Sequence, residues 1–137
     1  MNIREYTAAD RTGCLEVFEA VASAERRREF EEFLDDGSRQ AFVAEHQGGI
    51  IGCGGFVVDG IAAELRWGMV HPRWQRQGVG RFLLFYRMRA VTKNVAVQMV
   101  SLRTPKSAAG FFVKQGFREG IVVGDEIEMV KRLVVCT

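Results

Sequence analysis

The residues best suited to chemistry lie in one stretch near the middle of the chain, Val70-His71-Pro72-Arg73-Trp74-Gln75-Arg76-Gln77-Gly78-Val79-Gly80-Arg81. It follows an apolar, strand-like run and precedes a regular amphipathic helix, so Gly78 and Gly80 fall where a strand hands over to a helix. The first turn of a helix leaves amide donors without partners, and the helix dipole adds partial positive charge there. Two glycines clear side chains from those amides, so a pyrophosphate can approach the backbone. Arg73, Arg76 and Arg81 add charge, each charged hydrogen bond being worth roughly 1.5–3 kcal/mol. The competing reading is a helix entry that only needs close packing. Two other phosphate motifs fail on residues: no Lys-Ser or Lys-Thr follows the glycines, and Leu83 stands where a dinucleotide fingerprint needs its third glycine.

The flanking sequence says what must position this loop. Ile3–Tyr6 reads as a strand, and Thr7-Ala8-Ala9-Asp10 has capping-box spacing. Leu15, Phe18, Val21 and Ala22 make one helical stripe, and Phe30, Phe33 and Leu34 mark a second helix ending at the turn Asp35-Asp36-Gly37-Ser38. Ala41–Glu45, Ile50–Val58 and Ile61–Val70 form an antiparallel meander through turns at Gln47-Gly48-Gly49 and Asp59-Gly60. Along the third of these strands, Glu64, Arg66, Gly68 and Val70 should share a face. Val79, Phe82, Leu83, Tyr86 and Ala90 lie on one face of a helix running to about Lys93. Val95–Leu102 is a strand apolar enough for burial on both faces. Thr104 is expected to cap the next helix with Pro105 at its first position. That helix carries Phe111 and Phe112 and ends at Gly116. Phe117–Val123 and Glu126–Val135 close the chain as a hairpin. The order is β-α-α-β-β-β-α-β-α-β-β, an α/β (α+β) chain with a mixed, mostly antiparallel sheet of six to seven strands and helices on both faces.

Composition sets the limits. The 137 residues suit a single domain, 1–137, with 47% hydrophobic and 26% charged residues. No run approaches the roughly 18 apolar residues of a membrane span, and the N-terminus lacks a secretory core, so a cytoplasmic protein without membrane partners is expected. A net charge of +2 does not argue for nucleic acid. Arg26-Arg27-Arg28 is followed by Glu29, Glu31 and Glu32, the pattern of a self-paired helix face. Cys14, Cys53 and Cys136, with His46 and His71, match no metal-ligand spacing, so no metal is expected.

Gln75-Arg76-Gln77-Gly78-Val79-Gly80 resembles the Gln/Arg-x-x-Gly-x-Gly/Ala motif of the GNAT superfamily of N-acetyltransferases, with Val70-His71-Pro72 similar to its frequent lead-in. Ala108-Ala109-Gly110-Phe111-Phe112-Val113-Lys114-Gln115-Gly116-Phe117 resembles that family's helix ending in Gly-Phe, and the element order matches over nearly the whole chain. The resemblance implies acetyl-CoA as acyl donor and an amine acceptor. It places Gln75 and Arg76, and Gln77 through Arg81, around the pyrophosphate, and backbone groups of Met69 and Val70 along the pantetheine arm. There an N–H could polarise the thioester carbonyl. It makes Glu64, six residues before Val70, the candidate general base, which would take a proton from the amine directly or through water. The alternative for Glu64 is a strand carboxylate pairing with Arg66.

Two positions depart from the family pattern. Phe112 stands where many relatives have a tyrosine that can protonate the leaving thiolate, and Pro105 where many have an asparagine. Thr104, Ser107 and Cys53 carry groups able to replace the tyrosine, and Thr104, Ser107 and Phe112 are assigned to the coenzyme site. Phe112 packs there against the pantetheine or against the core. Trp67 and Trp74 read as packing residues. Acceptor choice falls to the N-terminal helices and the last hairpin. The leading reading is direct acetyl transfer to an amine of a small molecule, peptide or protein. An acyl-CoA-binding sensor or interaction domain without catalysis is the alternative, and nucleic-acid binding through Arg73–Arg89 ranks last. The apolar run Val130–Val135 could pair at a sheet edge and make a homodimer.

Overall fold

The computed structural model describes residues 1–133. Seven strands and four helices follow the order read from the sequence: β1 (Asn2–Glu5), α1 (Arg11–Val21), α2 (Arg27–Asp35), β2 (Gln40–His46), β3 (Gly49–Asp59), β4 (Ala62–Val70), α3 (Val79–Thr92), β5 (Met99–Pro105), α4 (Ala109–Lys114), β6 (Arg118–Val123) and β7 (Glu126–Arg132). One sheet holds all seven strands in the order β1-β2-β3-β4-β5-β7-β6, and only the β4–β5 pair is parallel.

Each face of the sheet has its own core. On one face Cys14, Leu15 and Phe18 of α1 and Phe30 and Leu34 of α2 pack on Val43 and Cys53. On the other, Leu84 and Val91 of α3 and Ala109 of α4 pack on Phe56, Ala63, Leu65, Val100 and Leu102. Val79 and Leu83 extend that second core to Ala44 and Ile51. The N-terminal cap is built as its spacing implies. Asp10 Oδ2 accepts from the Thr7 N–H at 2.8 Å, and the Asp10 carboxylate also takes both guanidinium arms of Arg4 at 2.8 Å. These bonds hold the Asp10 carboxyl below its ordinary range, the Arg4 hydrogen bond being the largest cause.

The turn after α4 explains the Gly-Phe signature in physical terms. Gly116 takes φ +93°, where a side chain would be strained. The Phe117 N–H reaches Phe112 O at 3.0 Å and the Gly116 N–H reaches Val113 O at 3.0 Å, a Schellman end. The rings of Phe112 and Phe117 meet at 5.8 Å, the apolar contact that accompanies this motif.

Four expectations are corrected. Thr104 does not cap a helix: β5 stays paired to β7 through Pro105, and the buried Thr104 faces Ile127 in that ladder. Pro105 disfavours helical backbone at the residue before it, so the helical turn starts only at Lys106. Strand β5 begins at Met99 rather than Val95, because Asn94 makes an Asx turn, accepting the Ala96 N–H at 3.1 Å, that lifts Val95 into solvent. The run from Val130 does not form a sheet edge. Val130 is paired on both sides, to Ser101 and Arg118, and the open edges are β1 and β6; Val134 and Val135 lie outside the described residues. Finally, a bulge in β4 breaks the shared face expected for Glu64, Arg66, Gly68 and Val70.

Candidate functional site

That bulge shapes the site. Cys53 opposes Met69 and Gly55 opposes Arg66, so Gly54 alone faces two residues of β4, Trp67 and Gly68. Trp67 takes φ +59°, a left-handed conformation costing a non-glycine residue roughly 1–2 kcal/mol. Its ring is fixed by Phe30 at 5.0 Å and Phe18 at 6.2 Å, with the Arg26 guanidinium 4.5 Å above it. Before the bulge, Ala63 and Leu65 point toward α3 and α4; beyond it, Trp67 and Met69 point toward α1 and α2. Glu64 and Arg66 therefore face the α1–α2 side, whereas Val70 packs with the α3 core.

Strands β4 and β5 part within the sheet. Their parallel register runs Ala62–Met99, Ala63–Val100, Glu64–Ser101 and stops there. Leu65–Val70 continue on β3 and Leu102–Pro105 on β7, leaving each strand with an unmated inner edge. Glu64 is the last paired residue at the mouth of this opening. Its Oε1 accepts from Arg66 Nε at 2.6 Å, and both side chains are about half exposed, at 48% and 46%.

Main-chain direction along the opening follows from one hydrogen bond. The His71 N–H donates to Ile51 O of β3 at 2.9 Å. Successive residues of an antiparallel strand point their main-chain groups to opposite sides, so the Val70 groups face the gap and those of Met69 face β3. The Val70 carbonyl is occupied by the Gln75 side-chain amide at 3.0 Å. The Val70 N–H carries no such partner among the described residues.

The glycine loop lies directly beyond. His71 Nδ1 accepts the Arg73 N–H at 3.2 Å and the Gln77 amide donates to Arg73 O at 3.0 Å, so the loop is braced by its own side chains. Gly78 caps α3 with φ +88°, and no side chain closes the helix end. Phe82 makes the first helical bond, to Gly78 O at 3.0 Å. Among the described residues nothing accepts from the N–H groups of Val79, Gly80 and Arg81. A side chain begun at Gly80 would meet only a Val70 methyl at 3.8 Å, so the space in front of these amides is open. Arg73, Arg76 and Arg81 are exposed, and none makes an ion pair among the described residues. Val79 is buried and serves as packing.

The remaining predicted residues divide. Ser107 is exposed in the helical turn after β5. Thr104 lies beyond the point where β5 leaves β4. Phe112 is half-buried against the α3–α4 core and meets Phe111 edge-on at 5.0 Å. The Trp74 ring lies tilted against His46, with ring centroids 4.6 Å apart. Cys14 and Cys53 are free and buried on the α1–α2 face, and the neighbouring Cys14 together with burial pushes the Cys53 thiol well up. Cys136 lies outside the described residues. Among those described, no group of three metal-ligating side chains occurs, and no helix is long and apolar enough to cross a membrane.

Arg87 escaped the sequence reading. It is only 5% exposed on α3, beneath the bulge, and makes no ion pair among the described residues. Its Nε donates to Leu83 O at 3.3 Å, and desolvation lowers its pKa to about 10. A Cβ at Gly54 or Gly68 would come within 2.9 or 3.0 Å of the guanidinium. The signal was present as two glycines with no turn to explain them.

An inner sheet opening that runs onto an open, glycine-capped helix start can seat an extended molecule with an anionic head. The chain belongs to the acetyltransferase (GNAT) domain family, whose model matches residues 37–119. No curated protein sequence matches the chain. Among solved structures, the ribosomal-protein-S18-alanine N-acetyltransferase from Escherichia coli aligns at 19% identity with a TM-score of 0.84, covering 99% of this chain and 96% of that one. An aminoglycoside 6'-N-acetyltransferase complexed with coenzyme A aligns at 16% identity and a TM-score of 0.84, covering 100% and 99%. The PaiA N-acetyltransferase from Thermoplasma acidophilum, also with coenzyme A, aligns at 17% identity and a TM-score of 0.76, covering 96% and 98%. At these identities the likeness is one of fold.

Proposed function

We propose that this chain, acting as one domain, transfers an acetyl group from acetyl-CoA directly to an amine of a small molecule, peptide or protein. The observation that carries the reading is the separation of β4 from β5 after Glu64 and Ser101, leading to three open amides at the start of α3. An extended pantetheine arm can pair with an unmated strand edge as a strand would, and a pyrophosphate fits free helix amides beside uncommitted arginines. Acetyl-CoA supplies an acyl group activated as a thioester. Val70 N–H, directed into the gap, is the donor placed to polarise its carbonyl. Glu64, at the mouth of the gap, takes a proton from the acceptor amine, so that a C–N bond forms as the C–S bond breaks and the thiol leaves. Arg66 holds Oε1 of that carboxylate at 2.6 Å and leaves Oε2 to accept the proton. Gln75, Arg76, Gln77 and Arg81 line the pyrophosphate end, with Thr104, Ser107 and Phe112 on the β5–α4 side. Phe112 cannot give the thiolate a proton, so water or a hydroxyl such as that of Ser107 does so. The unlinked thiols Cys14 and Cys53 suit a reducing, cytoplasmic setting.

The test is thermal shift with acetyl-CoA, followed by thiol release across a panel of amines. Bound ligand should raise the melting temperature by mass action. Absence of any shift at millimolar acetyl-CoA overturns the proposal. A shift without thiol release from any amine would favour the non-catalytic acyl-CoA-binding alternative, which the loss of a tyrosine at Phe112 already leaves open.

A further inference from the structure

A cavity of about 680 Å³ lies at the opposite end of α3 from the glycine loop, between the last two turns of that helix and the inner face of β1–β3. None of Glu64 or Val70–Arg81 lines it. Arg89 and Lys93 stand nine and thirteen residues beyond Gly80, about 13 and 20 Å along the helix axis, so the coenzyme's phosphates at the loop do not reach it. The volume lies within the ordinary range of small-molecule sites, roughly 300–1,000 Å³.

Its lining has a definite chemistry. Arg39, Arg89 and Lys93 bring three cations against one carboxylate, Glu5. None of the three cations makes an ion pair among the described residues, although six other arginines of the chain do. Arg89 in the last turn of α3 and Lys93 at its C-terminal cap are four apart, and the helix contains no acidic residue, so this like-charge spacing costs it a few tenths of a kcal/mol. Arg39 stacks its guanidinium over the Tyr6 ring at 4.5 Å, and its Nε is buried with no hydrogen-bond partner among the described residues. A buried donor left unmade is itself destabilising. Phe42 and Tyr86, with rings 6.2 Å apart, supply an apolar wall.

We propose that this cavity is a second binding site, for a small organic anion that carries a flat ring, such as an aromatic phosphate or carboxylate. The unpaired cations take the anionic group, and Phe42 and Tyr86 take the ring. The site does not depend on the transferase reading.

The test uses phenyl phosphate, with inorganic phosphate and benzylamine as controls, titrated into the full chain and followed by amide chemical shifts. Phenyl phosphate should move the signals of residues 39–42 and 86–94 in a saturable way. Inorganic phosphate should bind several-fold more weakly there, and benzylamine, with the same ring and opposite charge, should leave those signals unmoved. The double variant Arg89→Gln/Lys93→Gln should weaken phenyl phosphate about tenfold at this site. Its melting temperature should hold, since neither side chain is paired. Should that variant fold poorly, Tyr86→Ala gives an independent reading through lost discrimination between phenyl phosphate and inorganic phosphate. Shifts confined to residues 75–81, an equal response to benzylamine, equal affinity for inorganic phosphate, or unchanged affinity in the double variant would each overturn the proposal.

Discussion

Two arginine clusters of similar density occupy opposite sides of the sheet and behave in opposite ways. At the start of α2, Arg26 just before the helix pairs with Glu29, Arg27 with Glu19 and Glu31, and Arg28 with Glu32, and Arg11 of α1 reaches across to Glu31 and Asp35. Around the glycine loop, Arg73, Arg76 and Arg81 have no carboxylate partner among the described residues, and α3 carries no acid that could supply one. The first cluster is consumed by the fold. The second is left available, next to open helix amides that would themselves attract an anion. The two clusters differ in whether their cations are already paired, and not in charge density.

Glu64 is where this division is tested hardest, because it is ion-paired yet assigned to chemistry. Glu64→Gln should lower turnover about 10²–10⁴-fold with nearly unchanged affinity for acetyl-CoA, since a general base contributes about that much. Steady-state kinetics with acetyl-CoA and an amine acceptor measure it. Turnover that survives the change would return Glu64 to the paired, structural class with Arg66. Next in size is Gly80→Asp. The new carboxylate would stand in front of the Val79–Arg81 amides and repel a pyrophosphate, and kcat/KM for acetyl-CoA should fall about 100-fold. The fold should tolerate it, because the added atoms meet only a Val70 methyl. A Gly80→Asp variant with normal kcat/KM would mean that the loop is only a packing device.

The order of the elements and the glycine loop were legible in the sequence because both rest on local signals: period changes, turn pairs and a left-handed cap. What was not legible depends on tertiary pairing. The β4 bulge reverses the faces of Gly68 and Val70 relative to Glu64, and nothing in the alternation of Glu64–Val70 announces it. The pairing of β7 on both sides depends on β6 folding back beyond it. Thr104 looked like a cap because its neighbour is proline, yet the β5–β7 ladder continues through both residues. Arg87 reads as one more basic residue of an arginine-rich helix until Gly54 and Gly68 are brought together above it. The motif marks where the backbone is left open, and the bulge decides which side chains of β4 lie on each face of the sheet.

The paired side of the molecule makes its own prediction. Asp10 is only 6% exposed, holds both arms of Arg4 and closes the Thr7 cap. Asp10→Asn should destabilise the fold by about 2 kcal/mol, the loss of a buried pair discounted because Arg4 stays partly in water. Denaturant unfolding measures the change. Because the folded-state pKa of Asp10 lies below its unfolded value, its contribution is present above that unfolded value, near 3.8, and fades as pH falls through the depressed one. The variant should therefore lose stability at neutral pH and show a flatter acid limb than the parent. An identical acid limb would place the charge of Asp10 outside the fold's energetics.

The smallest effects provide the most direct comparison. Replacing Arg73, Arg76 and Arg81 together by glutamine should raise KM for acetyl-CoA about tenfold and flatten its dependence on salt, because exposed charges that meet a phosphate are screened over about 10 Å at roughly 0.1 M ionic strength. Melting temperature should not move, as no ion pair is lost. Replacing Arg26, Arg27 and Arg28 should do the reverse. KM and its salt dependence should hold while the melting temperature falls by a few degrees, through the lost pairs and the lost contact of Arg26 with the Trp67 ring. Within that second set, Arg28→Gln alone should be almost silent, since Arg28 and Glu32 are 92% and 68% exposed. If both triple variants moved KM alike, the cations would act on the coenzyme as a diffuse field rather than through the loop. If both lowered stability alike, the glycine-loop arginines would have structural partners after all, and the division between the two faces would fail.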